Sequence, residues 1–511
     1  MSDAKTLSLS LVSHTNAGKT TLARTLLGED IGEVRDAPHV TEFADVHTMI
    51  ETAAGERLQL WDTPGFGDTV RLARRLRSGQ NPIGRFLAEA WDRWRDRPFW
   101  ASQQALRNVR DEADVMLYLV NASESPQAAG YIAPEMELLA WVGKPVIVLL
   151  NQLGAPRAGE LEAAELARWR EHLRQFAPVR AVLPLDAFAR CWVQELTLLR
   201  AIADAVQGEQ HTLMARLTEA WRAGQRRRFR AAMKSTAESL SRLATAVEPL
   251  PESGTLRDSW RGARAAVGLD KGQATPASKA QQALAGRLDA EVREHTLALI
   301  RLHGLGGEAH GEILKRLSTH YEMRLRMDEK KAALWGGVTA GALVGLKADL
   351  LSGGLTLGGG MLAGGLLGAL GTAGLARCVN LVRGTDRSWL AWNGEALDSM
   401  VEAALLRYLA VAHFGRGRGD WSAGESPPHW KDVVGAALAP QRAALAELWS
   451  GRALPDADQD AVTLLAVGLE HIVSAVAVTA LASLYPAADV AATLSRDPHR
   501  ESLDAAGRAL R

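Results

Sequence analysis

The sequence predicts an α/β domain with a mostly parallel sheet and helices on both faces, followed by a large all-α half that carries a Gly-rich apolar helical hairpin. Three observations predict it. Residues 1–205 hold six short runs rich in Val, Leu and Ile, separated by segments long enough for helices, which is the rhythm of strands joined by crossover helices. From residue 206 onward, Leu, Ala and charged residues recur at helical spacing and no strand pattern returns. Within that second half, residues 332–376 carry two charges, Lys347 and Asp349, and glycines recur at every fourth place.

The candidate strands are Leu7–Ser13, Phe43–Glu51, Arg57–Asp62, Val115–Ala122, Pro145–Asn151 and Val179–Pro184. Phe43–Glu51 alternates polar and apolar residues, so it belongs at a sheet edge. Between Asp68 and Ala113 lies a charged, Trp-bearing stretch, longer than one crossover helix needs; two helices interrupted near Asn81 and Pro82 account for it. Ile202–Val247 reads as one helix, and a turn-rich segment (EPLPESGT) follows. Further helical patterns cover 256–267, 277–330 and 385–511, the last broken by a Gly-rich stretch at 415–428. The domain division is 1–205, 206–330, 331–380 and 381–511.

Composition bounds the function. At 511 residues the chain exceeds one compact domain, since about 150 residues per domain is the usual scale. Apolar residues make up 47% and charged residues 23%, which excludes wholesale disorder. Lys plus Arg equals Asp plus Glu, so a surface built to grip nucleic acid is disfavoured. The two cysteines, Cys191 and Cys378, make neither a disulfide framework nor a zinc cluster. The histidines show no metal-ligand spacing. The N-terminus lacks the basic and long apolar regions of a signal peptide, so a cytoplasmic location is expected.

The chemistry concentrates at the end of the first strand, in SHTNAGKTT, Ser13 to Thr21. This is close to G-x-x-x-x-G-K-[ST] between a strand and a helix, with Ser13 in place of the first glycine. Backbone N–H groups there can line a concavity for a polyphosphate. Gly18 lets the loop turn, Lys19 reaches the β- and γ-phosphates, and the Thr20 hydroxyl is a hard donor for Mg2+. A second motif, Asp62-Thr63-Pro64-Gly65, closes another strand. Asp62 can hold the magnesium's water shell, and the Gly65 N–H can approach the γ-phosphate. Thr41 lies between the two motifs in a polar loop, where its hydroxyl can complete the magnesium shell and sense the γ-phosphate.

On Asn16, Gly18, Lys19, Thr20, Thr41 and Asp62-Thr63-Pro64-Gly65, residues 1–205 resemble the Era- and TrmE-like branch of P-loop GTPases, in the translation-factor class of G domains. The whole chain resembles a bacterial family whose C-terminal helical half is a domain of unknown function. The resemblance implies GTP binding and hydrolysis with Mg2+. It implies a nucleotide set of Asn16, Ala17, Gly18, Lys19, Thr20, Thr21, Asp62, Gly65, Asn151 and Gln152. It implies magnesium held by Thr20, Thr41 and Asp62, and catalysis by Lys19, Thr41 and Gly65. In that branch the loop asparagine, here Asn16, accompanies a K+ ion that bridges the phosphates. The alternative is that Asn16 only pins the loop.

Two departures bear on mechanism. The branch expects N-K-x-D after the fifth strand; here Asn151-Gln152-Leu153-Gly154 stands, and Gly154 has no carboxylate for the guanine edge. Asp186 is a candidate replacement, in a Leu185-Asp186-Ala187 sequence where the branch carries S-A-K. Phe66 follows the Asp62 motif where some GTPases place a water-orienting Gln. Backbone groups, another residue or a partner must then orient the water, and hydrolysis is expected to be slow.

Leu350–Ala376 runs 27 residues without a charge, beyond the ~18–20 that span a bilayer. Glycines at 337, 341 and 345, and at 360, 364 and 368, let two helices approach closely. A membrane-inserting hairpin and a tight soluble helix pair both fit. The partners read from the chain are GTP/GDP, a membrane lipid or membrane protein through 332–376, and an unidentified protein effector; nucleic acid is disfavoured. The location is cytoplasmic, with a peripheral or integral place at the inner membrane left open. The function read is a GTP-hydrolysing switch that controls the helical half. The alternative is a nucleotide-binding scaffold or membrane adaptor with relaxed base choice and little hydrolysis.

Overall fold

The computed structural model describes residues 5–14, 17–27, 45–67, 69, 71–72, 97–153, 159–185, 191–250, 276–305, 379–383, 388–413, 429–486 and 488–494. By its contacts the chain divides into two compact units. The first is Met1–Arg226 with His413–Pro427 and Ala487–Asp489; the second is Arg227–Ala412 with Pro428–Pro486 and Val490–Arg511.

The first unit is built on six strands: β1 (Thr6–Ser13), β2 (Asp45–Glu51), β3 (Arg57–Asp62), β4 (Val115–Asn121), β5 (Val146–Asn151) and β6 (Val179–Pro184). Their order across the sheet is β2-β3-β1-β4-β5-β6. All neighbours are parallel except β2 and β3. β4 and β5 are buried almost throughout, as strands covered on both faces must be, and so read as unbroken apolar runs. β2 is largely exposed and stands at the edge, where its alternating pattern placed it.

Helices α1 (Lys19–Leu27), α2 (Arg97–Asp111), α3 (Ile132–Val142), α4 (Gly159–Leu173) and α5 (Trp192–Ala205) complete this α/β layer. α3 stops at Gly143, whose φ of 77° lets its N–H close onto the Leu139 carbonyl. The core joins Val12, Phe66, Phe99, Tyr118, Met136 and Trp169. In the long stretch between the Asp62 motif and β4, the described helix is α2; the break expected near Asn81 lies outside the described residues.

The sequence suggested one helix over Ile202–Val247. The chain instead ends α5 at Ala205 and restarts as α6 (Gly208–Thr245), with Gly208 at φ 59°. By its contacts the first unit reaches Arg226, inside α6. Leu213, Met214, Leu217 and Trp221 are buried on that part of the helix, and Trp221 Nε1 donates to Glu195 at 2.9 Å. Exposed pairs such as Arg216–Glu56 and Lys5–Glu209 add little beside this burial.

The second unit is helix-rich, and it holds a small sheet that the sequence pattern did not reveal. β7 (Val247–Leu250), β8 (Val379–Arg383) and β9 (Ser388–Trp392) form an antiparallel sheet in the order β7-β9-β8. β7 falls in the segment read as a turn. It is four residues long and contains Pro249, which an edge strand tolerates. Around the sheet lie α7 (Pro276–Leu302), α8 (Gly394–Ala412), α9 (His429–Leu438), α10 (Arg442–Ser450), α11 (Gln459–Leu484) and α12 (Val490–Leu494). α8 buries Leu397, Val401, Leu405 and Tyr408, and α11 buries Leu465, Leu469, Ile472, Val476 and Ala480, both at helical spacing.

Among the described residues, α11 is the one helix long and apolar enough to cross a membrane. Core helices of soluble proteins meet the same criterion, and the face of α11 just named is buried in its own unit. The Gly-rich segment 332–376 lies outside the described residues.

Candidate functional site

β1 is the central strand between β3 and β4, so its C-terminal end opens where the crossovers leave the sheet. There the chain turns through Ala17 and Gly18 and enters α1 at Lys19. Gly18 has φ +88°, and a Cβ on it would stand 2.8 Å from Asn151 Nδ2. Both facts demand glycine. Asn151, fully buried at the end of β5, donates Nδ2 to the Ala17 carbonyl at 2.9 Å. Its amide nitrogen therefore braces the loop. Gln152 follows at φ +59°, an uncommon conformation for a residue with a side chain, and lies beside Gly18.

Lys19 is 8% exposed, and its ammonium donates to Ser13 Oγ at 3.0 Å. Burial pulls its pKa down, while the carboxylates of Asp62 and Glu135 push it back up. Thr20 Oγ1 donates to Asp62 Oδ2 at 2.6 Å. Asp62 is itself buried, which raises its pKa against the opposing effects of Thr20 and Lys19. Its other oxygen, Oδ1, is buried with no hydrogen-bond partner among the described residues. Such an orphan acceptor is costly unless something else meets it.

That orphan oxygen and the adjacent Thr20 hydroxyl are hard oxygen donors that suit a small cation such as Mg2+. Among the described residues no cluster of three or more His, Cys, Asp or Glu forms a metal cage. Magnesium needs none, because it keeps waters and phosphate oxygens in its shell.

The segment after β3 is tied to the loop. Thr63 Oγ1 donates to the Leu11 carbonyl, the Phe66 N–H donates to the Ser13 carbonyl at 2.9 Å, and the Gly67 N–H donates to Ser102 Oγ at 2.9 Å. Gly65 is thereby held beside the loop. Phe66 is fully buried in the core, where its ring has no means of orienting a water. Arg71 lies 4.0 Å above the Phe99 ring.

The structure thus brings Ala17, Gly18, Lys19, Thr20, Thr21, Asp62, Gly65, Asn151 and Gln152 to one end of the sheet. Asn16, Thr41, Gly154 and Asp186 lie outside the described residues. Sequence reasoning missed three residues beside them: His14, Tyr118 and Glu135. His14 Nδ1 is 2.8 Å from Glu135 Oε1, and the Tyr118 hydroxyl donates to Glu135 Oε2 at 2.6 Å. The available signals were an acid in the apolar helix IAPEMELLAWV and a tyrosine in the apolar strand VMLYLVN.

Comparison with known proteins matches two parts of the chain. Residues 8–152 match the family described as 50S ribosome-binding GTPase, and residues 170–459 match a domain of unknown function, DUF3482. GTPase Era of Carboxydothermus hydrogenoformans is 28% identical over 162 residues, which is 31% of this chain and 43% of that protein. GTPase Era of Geobacter sp. (strain M21) is 26% identical over 194 residues, 37% of this chain and 53% of that protein. The chain thus spans about half the length of the curated relatives it matches. Among solved structures, an Aquifex aeolicus Era variant bound to GDP and aluminium fluoride aligns at TM-score 0.30 and 17% identity, covering 40% of this chain and 58% of that one. Era in complex with MgGDPNP and a segment of 16S ribosomal RNA aligns with the same values.

Proposed function

The chain belongs to the DUF3482 family and carries an N-terminal G domain of the Era-like class, and from that premise we propose that it binds GTP and hydrolyses it with Mg2+ as a molecular switch. One observation carries the proposal. The Thr20 hydroxyl, the orphan Asp62 oxygen and the buried Lys19 ammonium converge beside the Gly18 turn at the end of the central strand.

On this reading Thr20, Asp62 and Thr41 hold the magnesium, which supplies positive charge to the β- and γ-phosphates when bound. Lys19 keeps its bond to the Ser13 hydroxyl and turns its remaining N–H donors to phosphate oxygens. The loop N–H groups of residues 14–20 cradle the phosphates, and the Gly65 N–H meets the γ-phosphate. Asn16 accompanies a K+ ion that adds charge at the transition state. Asn151 braces the loop, and Gln152 packs toward the base. With Phe66 committed to the core, turnover is slow. Residues 1–205 are the switch, and the helical segments 206–330 and 381–511 are its output. The segment 331–380 offers lipid or a membrane protein an apolar surface. Ribosomal RNA, present in one Era complex, is the less favoured partner for a chain of zero net charge.

A second reading, a nucleotide-binding scaffold with relaxed base choice, is favoured by Gly154 and by the use of the Asn151 amide within the loop. Competition of fluorescent GTP, in Mg2+ and K+, against GTP, ATP and XTP separates the two. A preference for GTP of roughly a hundredfold or more supports the switch. Equal competition by ATP supports the scaffold, and no binding at all sinks both.

A further inference from the structure

The phosphate loop departs from its general pattern at the first residue, and what stands there is used. Ser13 is fully buried at the end of β1. Its hydroxyl donates to the His14 carbonyl at 2.5 Å and accepts from Lys19 Nζ at 3.0 Å. The next residue, His14, stacks its ring on Tyr131, centroids 4.6 Å apart and planes within 21°. Tyr118 donates to one oxygen of Glu135, and His14 Nδ1 shares a hydrogen bond with the other at 2.8 Å.

The result is two sets of hydrogen bonds, joined through the covalent frame of His14, that link the Lys19 ammonium to the centre of the sheet. One runs through Ser13 to the His14 backbone, the other from the His14 ring to Glu135 on α3 and Tyr118 on β4. Glu135 has no exposed surface, and a buried carboxylate persists only when donors meet both its oxygens. Both are met. A network that served packing alone would have no reason to end on the loop's lysine. A glycine at position 13 could make neither side-chain bond.

We propose that Ser13, His14 and Glu135 are positioning residues of the phosphate site, holding Lys19 and the opening of the loop in the shape that receives phosphate. They do the work that backbone alone does in a loop beginning with glycine. This rests on the nucleotide reading above.

The test uses the full chain, fluorescent GTP and Mg2+, with thermal melting recorded beside affinity. Ser13→Gly restores the general loop pattern, yet is expected to weaken binding on the order of tenfold, the scale of a lost hydrogen bond to a charged group, at nearly unchanged melting temperature. His14→Ala is expected to lose a similar factor. His14→Asn keeps a donor where Nδ1 stands and should recover most of that loss. Combined with Ser13→Gly, His14→Ala should cost less than the product of the two single losses, as coupled neighbours do. If His14→Ala fails to fold, Ser13→Gly and His14→Asn still decide.

Binding by Ser13→Gly as tight as wild type overturns the inference, as does His14→Asn no better than a folded His14→Ala. Either result, with a wild type that binds GTP, leaves the nucleotide reading standing. A wild type that binds no nucleotide overturns both.

Discussion

Two buried polar chains, one in each unit, differ in how they end. In the helix-rich unit, Arg407 Nη1 donates to His295 Nδ1 at 2.8 Å, His295 Nε2 donates to Thr236 Oγ1 at 3.0 Å, and Thr236 donates to the Ala232 carbonyl at 2.8 Å. That chain runs from the Arg407 cation, whose Nε meets no partner among the described residues, to a backbone carbonyl one helical turn before Thr236. In the α/β unit the chain ends on the Lys19 ammonium, and beside it Asp62 Oδ1 is left unmet. A polar network that closes on backbone holds helices together. What sets the α/β chain apart is an unmet carboxylate oxygen beside its lysine and a glycine turn, an arrangement that suits a bound cation and anion.

Substitutions test the contrast. Lys19→Ala should have the largest effect, costing about 2–5 kcal/mol of nucleotide binding, the scale for truncating one partner of a buried charge pair. Titration with fluorescent GTP reads it, and wild-type affinity in this variant would break the comparison. Gly18→Ala should come next. Its φ of +88° and the 2.8 Å approach of Asn151 Nδ2 both oppose a methyl group, at about 1–3 kcal/mol for the strain. The same titration and a melting curve measure it.

The third test addresses the other chain. His295 has its pKa driven well below the usual value, first by burial and then by the facing charges of Arg407 and Arg242. The folded state keeps the imidazole neutral, so the unfolded state binds more protons below about pH 6.5. The stability contributed by neutral His295 is therefore present above that pH. It is lost as pH falls toward the folded pKa, by up to about 1.4 kcal/mol per pH unit. Denaturant melts at pH 7.5 and 5.5 should show this loss, and His295→Gln should remove that share of it. Nucleotide affinity at pH 7.5 should be unchanged in that variant; a change would mean the two chains are not separate in role. The smallest effect is expected at the exposed Arg216–Glu56 pair, where Arg216→Ala should leave the melting temperature nearly unchanged.

Much of the first unit was legible in the chain. All six strands were read from their apolar runs, and β2 was placed at the edge by its alternation, because strand period and two-sided burial are written locally. The strand–turn–helix that carries Gly18, Lys19 and Thr20, and the strand end at Asp62, were readable from their local pattern. The sheet of the second unit was not readable. Its strands are four or five residues long, and β7 pairs with a segment well over a hundred residues away. The stop between α5 and α6 was also hidden, since the apolar pattern runs through it.

The sequence by itself determined the parallel α/β layer, the glycine turn and the polar residues around it, because each depends on residues close together in the chain. The tertiary structure alone decided the partners of those donors. Glu135 stands 121 residues from His14, and Asn151 stands 134 residues from Ala17. No local pattern distinguishes Glu135 from a solvated helix acid, or Asn151 as a brace from Asn151 as a base contact. Burial made the difference: once water is excluded, each polar atom must find a partner within the fold, and the sheet order determines which ones are in reach.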